Sequence, residues 1–206
     1  MNYASYIDIP NWETISKKIV SFRQSELDAD PDYKSKNKHI WWCYFYDEVK
    51  KEVPELIEKF ESMGLTMKQM ILFNNLPNDI NVKDHNNPKS LFIHTDSEDD
   101  PESVHDLDLP VLTDFPPTCA INIPLLNCKG SYTLWYKKLN NNPDVFHVNP
   151  GCGGHAHQDV EEVHRFELDK PAVLRINVPH AVWNSSDSDR VVATFRFKES
   201  LEHLIK

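Results

Sequence analysis

Residues 172–197 read AVLRINVPHAVWNSSDSDRVVATFRF, and this stretch decides the fold class. Two apolar runs, 172–178 and 191–197, flank a polar loop at 184–189. Apolar and polar side chains alternate in the second run, which is the period of a β-strand. A loop as polar as 184–189 returns the chain, so we expect the two runs to form neighbouring strands.

Other short apolar runs precede this stretch and are separated by turn residues. They cover residues 67–73, 91–93, 119–125, 132–136 and 163–168. The chain has only five glycines, so Asn, Asp and Pro make most of its turns. Short strands at this spacing, with no helical pattern between them, predict a mainly β protein built as an antiparallel sandwich or barrel.

The N-terminal third favours helices that flank this β region. Residues 11–23 carry apolar side chains near helical spacing, and residues 46–63 carry a clearer apolar stripe opposite a charged face. Pro54 predicts that the second helix begins near Val53, and Gly64 predicts its end. We expect one domain over 1–206, with a mixed helical support region at 1–70 and a β core at 71–200.

Composition and charge argue against several classes of function. The formal net charge of −10 over 206 residues disfavours a nucleic-acid binder, which normally presents a basic face. No apolar run is long enough to span a membrane, and the first residues lack the pattern of a signal peptide. The four cysteines form no Cys-x-x-Cys pair, which predicts reduced thiols and a cytoplasmic protein.

The strongest local signal for chemistry is His94-Thr95-Asp96, directly after the apolar run 91–93. On an extended segment, residues two apart point to the same side, so an imidazole and a carboxylate face one point. His180, at the end of the predicted strand 172–178, is the best third ligand. Two histidines and one carboxylate leave open positions on iron(II) for a bidentate ligand and O2. The alternative interpretation of the tripeptide is a polar strand end.

A second signal is Arg190, ten positions after His180. A guanidinium matches a carboxylate with two parallel hydrogen bonds, which is what the distal carboxylate of a 2-oxo acid needs. Thr194 lies on the same face of the strand and can add a hydroxyl. The alternative partners of Arg190 are the nearby carboxylates of Asp187 and Asp189.

Together, His94-Thr95-Asp96, His180 and Arg190 resemble the HxD…H…R pattern of the iron(II)/2-oxoglutarate-dependent oxygenases. Residues 179–184 followed by Arg190 look like the aspartyl/asparaginyl β-hydroxylase branch, and residues 190–194 are similar to the arginine and threonine strand of prolyl hydroxylases. The carboxylate of Asp96 departs from the first branch and follows the general family. The resemblance covers about residues 91–197. It implies a double-stranded β-helix, a jelly-roll or cupin-like barrel.

The resemblance also implies a hydroxylase that uses Fe(II), 2-oxoglutarate and O2. Its metal ligands are His94, Asp96 and His180, and its products include succinate and CO2. The substrate is a protein side chain, an amino acid or another small molecule. Four further polar residues lie on predicted strands and are candidates to touch 2-oxoglutarate or the substrate beside Arg190 and Thr194: Asn122, Tyr132, Thr133 and Arg175. The alternative is that they are hydrogen-bonded strand residues with no catalytic part.

A competing set of metal ligands lies downstream. His155, His157 and Glu161, followed by His180, resemble the two metal motifs of cupins. Only nineteen positions separate Glu161 from His180, and the glycines that flank cupin motifs are missing there. The alternative for this glycine-rich segment is a lid over the active site. A β-barrel that binds a ligand without catalysis is the third hypothesis.

Overall fold

The computed structural model describes residues 2–29, 42–79, 91–96, 118–140, 146–149 and 152–206. Within these ranges, twelve strands form two six-stranded sheets, and the α-helices lie in the N-terminal part. The prediction of a mainly β protein with flanking N-terminal helices is confirmed. None of the helices in the described ranges is long and apolar enough to cross a membrane.

The helices are α1 (Trp12–Ala29), α2 (Tyr46–Glu52) and α3 (Pro54–Ser62). The first six strands are β1 (Ala4–Tyr6), β2 (Trp42–Phe45), β3 (Met67–Asn75), β4 (His94–Asp96), β5 (Cys119–Leu126) and β6 (Tyr132–Lys138). The other six are β7 (Phe146–Asn149), β8 (Cys152–Gly154), β9 (Val160–Glu167), β10 (Ala172–Arg175), β11 (His180–Trp183) and β12 (Arg190–Phe197).

The helical segment at 46–63 is divided in two where the sequence places a proline. Val53 leaves the helical conformation (φ −138°, ψ 61°), and Pro54 opens α3. Proline suits a first helical position because its missing N–H has no partner to lose there. Gly64 follows α3 with φ +75°, the left-handed conformation that ends many helices. The predicted start near Val53 and the predicted stop agree with α3, whereas residues 46–52, which that start leaves outside the helix, form α2.

The strand order defines the fold. Sheet A has the order β1-β10-β5-β12-β3-β2, and sheet B has the order β7-β8-β4-β11-β6-β9. In the eight strands β3–β6 and β9–β12, the first pairs with the last, the second with the seventh, the third with the sixth and the fourth with the fifth. The pairings between the described strands are all antiparallel. This double Greek key is the topology of a jelly roll, or double-stranded β-helix.

Sheet A separates two apolar layers. Leu72 and Phe195 on its outer face pack against the helices, for example against Phe60 of α3. Its inner face contributes Leu174 and Val192 to a second cluster that contains Trp135 of sheet B. The space between the sheets is thus the inside of the jelly roll. Because side chains alternate along a strand, residues two apart on one strand both point inward or both point outward.

Two sequence-based predictions about the C-terminal strands are wrong. His180 does not end the strand that precedes it: β10 ends at Arg175, and His180 begins β11. Strands β11 and β12 are not hydrogen-bonded neighbours, because β11 belongs to sheet B and β12 to sheet A. The polar loop 184–189 crosses from one sheet to the other. The loop therefore connects β11, which begins with His180 in sheet B, to β12, which begins with Arg190 in sheet A.

Candidate metal and co-substrate site

Three side chains that bear metal-ligating atoms meet on the inner face of sheet B. His94 and Asp96 lie two apart on β4, and His180 pairs in register with His94 from β11. One ligand atom from each residue lies within 4.8 Å of the other two. This arrangement agrees with the expectation that His94 and Asp96 share one face of a strand. It also agrees with the choice of His180 as the third residue.

The two histidines present the same nitrogen to the cluster. Nδ1 of His180 lies 2.9 Å from the carbonyl oxygen of Val178, and Nδ1 of His94 lies 3.3 Å from that of Phe92. A carbonyl only accepts, so these contacts assign a proton to Nδ1 of each ring and turn Nε2 towards the cluster. In neutral His180 this Nε2 carries a lone pair, and in His94 it is the atom that hydrogen-bonds Asp96 and that a metal ion would take over. A histidine held by its second nitrogen in this way is typical of a metal ligand.

Asp96 is held as a carboxylate by an arginine from the opposite sheet. Nη2 of Arg196 donates to Oδ2 of Asp96 at 2.6 Å, and Oδ1 lies 3.4 Å from Nε2 of His94. Burial raises the pKa of Asp96, but the charge of Arg196 and the hydrogen bond and charge of His94 outweigh it. The pKa is therefore well below its usual range. One carboxylate oxygen binds the arginine while the other faces the histidines.

His180 is kept neutral by its surroundings. Its exposed fraction is 6%. Burial, followed by the charge of His94, lowers the pKa of His180 to about 4, although Asp96 opposes the shift. A neutral imidazole is the form that binds a metal ion.

The inner face of β12 carries two arginines with a threonine between them. Arg190, Thr194 and Arg196 share this face, and all three are buried. Nη1 of Arg190 donates to Oδ1 of Asn75 at 2.9 Å, whereas its Nε has no hydrogen-bond partner. Within the described residues no carboxylate reaches Arg190, so neither Asp187 nor Asp189 is its partner. Burial lowers the pKa of Arg190, and Cys128 opposes this shift slightly.

Three more inward polar atoms lack partners within the described residues. Asn122 pairs in register with Thr194 across β5 and β12, and its buried Oδ1 accepts no hydrogen bond. Thr133 lies two residues from Trp135 on β6, and its buried Oγ1 is likewise without a partner, as is Nε of Arg196. Unpaired buried polar atoms are uncommon because each costs free energy. Their presence on both inner faces suits a polar ligand between the sheets.

Tyr132 does not point to this region. It pairs with Trp183 and packs with Leu134 and Ala181 on the outer face of sheet B. The side chain of Arg165 lies over its ring. Of the two candidates on this strand, Thr133 shares the inner face of His180 and Tyr132 does not. Arg175, the candidate on β10, forms an ion pair with Glu202.

The cupin-like residues are not gathered into a metal site. Nε2 of His155 lies 2.7 Å from Oγ1 of Thr95, and Nε2 of His157 lies 3.1 Å from the carbonyl oxygen of Leu91. Glu161 is exposed on β9. Within the described residues, His94, Asp96 and His180 form the single cluster of this kind. His155 therefore contacts the outer face of β4, and His157 contacts the segment just before that strand.

Two residues of the site were not singled out by the sequence. Arg196 lies two residues beyond Thr194 on the same strand face, so the alternation of side chains along β12 could have found it. Asn75 carries no local motif, and only the three-dimensional structure brings it near Arg190.

The structure, but not the sequence, of this chain resembles known proteins. No protein-family model matches the sequence, and no curated protein matches it. The structure resembles the crystal structure of the non-heme alpha-ketoglutarate-dependent carbocyclase SnoK from nogalamycin biosynthesis, with a TM-score of 0.48 and 12% identity. The match covers 98% of this chain and 86% of that chain. The strand order of this chain, and not that superposition, defines its fold.

Proposed function

We propose that this protein is an iron(II)- and 2-oxoglutarate-dependent oxygenase that hydroxylates a small molecule, an amino acid or a peptide side chain. The observation that carries the proposal is the pairing of two features inside one jelly roll. His94, Asp96 and His180 converge on one point, and the buried cation Arg190 lacks a carboxylate partner among the described residues.

The ligand set fits iron(II). Two neutral imidazoles and one carboxylate, placed on one side of a point, are the facial arrangement that non-heme iron(II) oxygenases use. The Nδ1 contacts of both histidines leave Nε2 available, and Arg196 occupies only one oxygen of Asp96. The residues present can therefore hold a metal ion through three atoms and leave its other positions open.

The inner face of sheet A fits a dicarboxylate. A buried guanidinium without a counter-charge costs free energy, and an anionic ligand that binds it recovers part of that cost. Thr194 lies between Arg190 and Arg196 along β12, and Asn122 lies opposite Thr194 on β5, so a hydroxyl and an amide lie between Arg190 and the arginine that binds Asp96. Thr133 adds a second buried hydroxyl from the facing sheet, two residues from Trp135, which pairs with His180. We infer that Arg190 binds the distal carboxylate of 2-oxoglutarate while the oxo acid end reaches the metal.

The metal, when bound with 2-oxoglutarate and O2, supplies oxidative chemistry that releases succinate and CO2. The residues of the chain orient the metal ligands and the co-substrate. The backbone carbonyls of Phe92 and Val178 fix the tautomers of the two histidines. Arg196 keeps Asp96 ionised, and the apolar cluster around Trp135 excludes water from the interior.

Binding of 2-oxoglutarate that depends on a metal tests this proposal. The protein is titrated with 2-oxoglutarate under nitrogen, with and without Fe(II), and the heat of binding is measured. We expect one molecule bound per chain in the presence of Fe(II) and much weaker binding in its absence. We also expect slow release of succinate once air is admitted, even without a substrate. A protein that binds 2-oxoglutarate equally well without metal, or not at all, contradicts the proposal.

A further inference from the structure

A neutral amide, and not a carboxylate, is the hydrogen-bond acceptor of Arg190. Asn75, the last residue of β3, lies directly opposite Arg190 in the register of sheet A. Its Oδ1 accepts a hydrogen bond from Nη1 of Arg190 at 2.9 Å. Asparagine and aspartate have the same shape, so a carboxylate fits at this position as well as the amide does.

The position of Asn75 is fixed by the loop that leads into β12. Nδ2 of Asn184 donates to the carbonyl oxygen of Asn75 at 2.9 Å and to that of Ser188 at 2.9 Å. Asn184 is fully buried, and its Oδ1 accepts hydrogen bonds from Ser131 and Ser186. This network joins the end of β3 to the start of β12, so the Asn75 side chain approaches Arg190 from a rigid backbone.

The chemical identity of that acceptor decides how much of the arginine's charge remains for a ligand. A carboxylate beside a buried guanidinium forms a strong charge-assisted pair, which a ligand's carboxylate must then displace or share. An amide oxygen orients the same guanidinium through one hydrogen bond and leaves its charge without a counter-ion. The amide therefore fixes the direction of Arg190 and preserves its attraction for an anion.

We propose that Asn75 is a positioning residue that orients Arg190 through a neutral acceptor and so determines the affinity for the co-substrate. This inference rests on the proposed function, because it takes the anion to be 2-oxoglutarate. It adds a residue that no motif in the sequence indicates. It also predicts that asparagine and aspartate at position 75 give different affinities for 2-oxoglutarate.

The test is Asn75→Asp and Asn75→Ala, with Asn74→Ala as the matched control. Asn74 is the preceding residue, faces the other side of the strand and donates to Asp189 at 2.9 Å, so alanine removes a neighbouring amide without adding a charge. Each protein is loaded with Fe(II) under nitrogen and titrated with 2-oxoglutarate, and its urea midpoint is measured without ligand. We expect Asn75→Asp to lower the affinity at least tenfold, to leave Fe(II) affinity unchanged and to keep or raise the urea midpoint. We expect Asn74→Ala to leave the 2-oxoglutarate affinity within twofold of wild type.

A positioning role predicts that Asn75→Asp loses 2-oxoglutarate affinity but keeps or gains stability in urea. A merely structural role predicts that the affinity and the stability fall together. A second variant, Asn75→Ala, removes the acceptor without adding charge, and we expect a three- to tenfold loss of 2-oxoglutarate affinity with Fe(II) affinity kept. The inference is overturned if either Asn75 variant binds 2-oxoglutarate like wild type, or if Asn75→Asp is destabilised or fails to fold. A wild-type protein that binds no 2-oxoglutarate overturns the proposed function itself, and the inference falls with it.

Discussion

Arg190 and Arg196 project from the same face of β12, six residues apart, and only Arg196 reaches a carboxylate within the described part of the chain. Six residues of strand place their Cα atoms about 20 Å apart. Arg196 is bound to Asp96 of the metal-ligating cluster, whereas Arg190 donates to a neutral amide. The strand thus holds one cation that is already paired and one that remains available to an anion.

Replacement of Arg190 by methionine tests the use of that available cation. Methionine keeps much of the volume and removes the charge. We expect 2-oxoglutarate affinity to fall by at least about 2 kcal/mol, or roughly 30-fold, because loss of a buried charged partner typically costs 2–5 kcal/mol. Fe(II) affinity stays unchanged, and urea unfolding of the ligand-free protein shows equal or greater stability, since an uncompensated buried charge is gone. Equal 2-oxoglutarate affinity in wild type and Arg190→Met rules out this role for Arg190.

Arg196→Met tests the control of Asp96. The charge of Arg196 helps to hold the pKa of Asp96 well below its usual range against burial, which raises it. Without that charge, the pKa of Asp96 rises, so protons compete with the metal at higher pH. We expect the ratio of wild-type to variant Fe(II) affinity to be larger at pH 6 than at pH 8. A ratio that does not change with pH shows that Arg196 does not govern the ionisation of Asp96.

His180 predicts how the stability of the metal-free protein depends on pH. Its pKa in the folded protein is about 4, below the unfolded value near 6.5, so the unfolded state binds the proton more readily between these values. The stability that neutral His180 contributes is complete above pH 6.5 and is lost as the pH falls towards 4. From pH 7 to pH 4.5 we expect wild type to lose roughly 2–3 kcal/mol more than His180→Gln in urea unfolding. Identical losses in the two proteins contradict the lowered pKa.

Thr133 tests whether the unpaired interior atoms are kept for a ligand. Its buried Oγ1 has no hydrogen-bond partner within the described residues. Valine has the same shape without the hydroxyl, so Thr133→Val is expected to stabilise the ligand-free protein by about 1 kcal/mol. The same change weakens 2-oxoglutarate binding several-fold if the hydroxyl contacts the ligand. A variant that is less stable than wild type in urea shows that the hydroxyl already has a partner.

The parts of the site that could be predicted from sequence are those that depend on one strand alone. His94 with Asp96, and Arg190 with Thr194, each share a face because side chains alternate along a strand. The start of α3 at Pro54 follows from the chemistry of a single residue. These predictions needed no knowledge of the neighbouring chain.

The features that were missed depend on pairing between distant segments. Tyr132 and Thr133 were both candidates, because local sequence does not show which face of a strand is inward; only the pairing with β11 places Thr133 inside and Tyr132 outside. The crossing of loop 184–189 between sheets follows from the jelly-roll order, which local composition does not contain. Asn75 lies 115 positions from Arg190 in the chain, so no local pattern could join them.

The most direct test of the central claim is a crystal structure of the protein grown with Fe(II) and 2-oxoglutarate under nitrogen, with anomalous scattering collected at the iron edge. The account predicts one iron ion bound to His94, Asp96 and His180, with the distal carboxylate of 2-oxoglutarate on Arg190. Iron bound instead at His155 and His157, or a 2-oxoglutarate molecule that does not contact both the iron and Arg190, contradicts it.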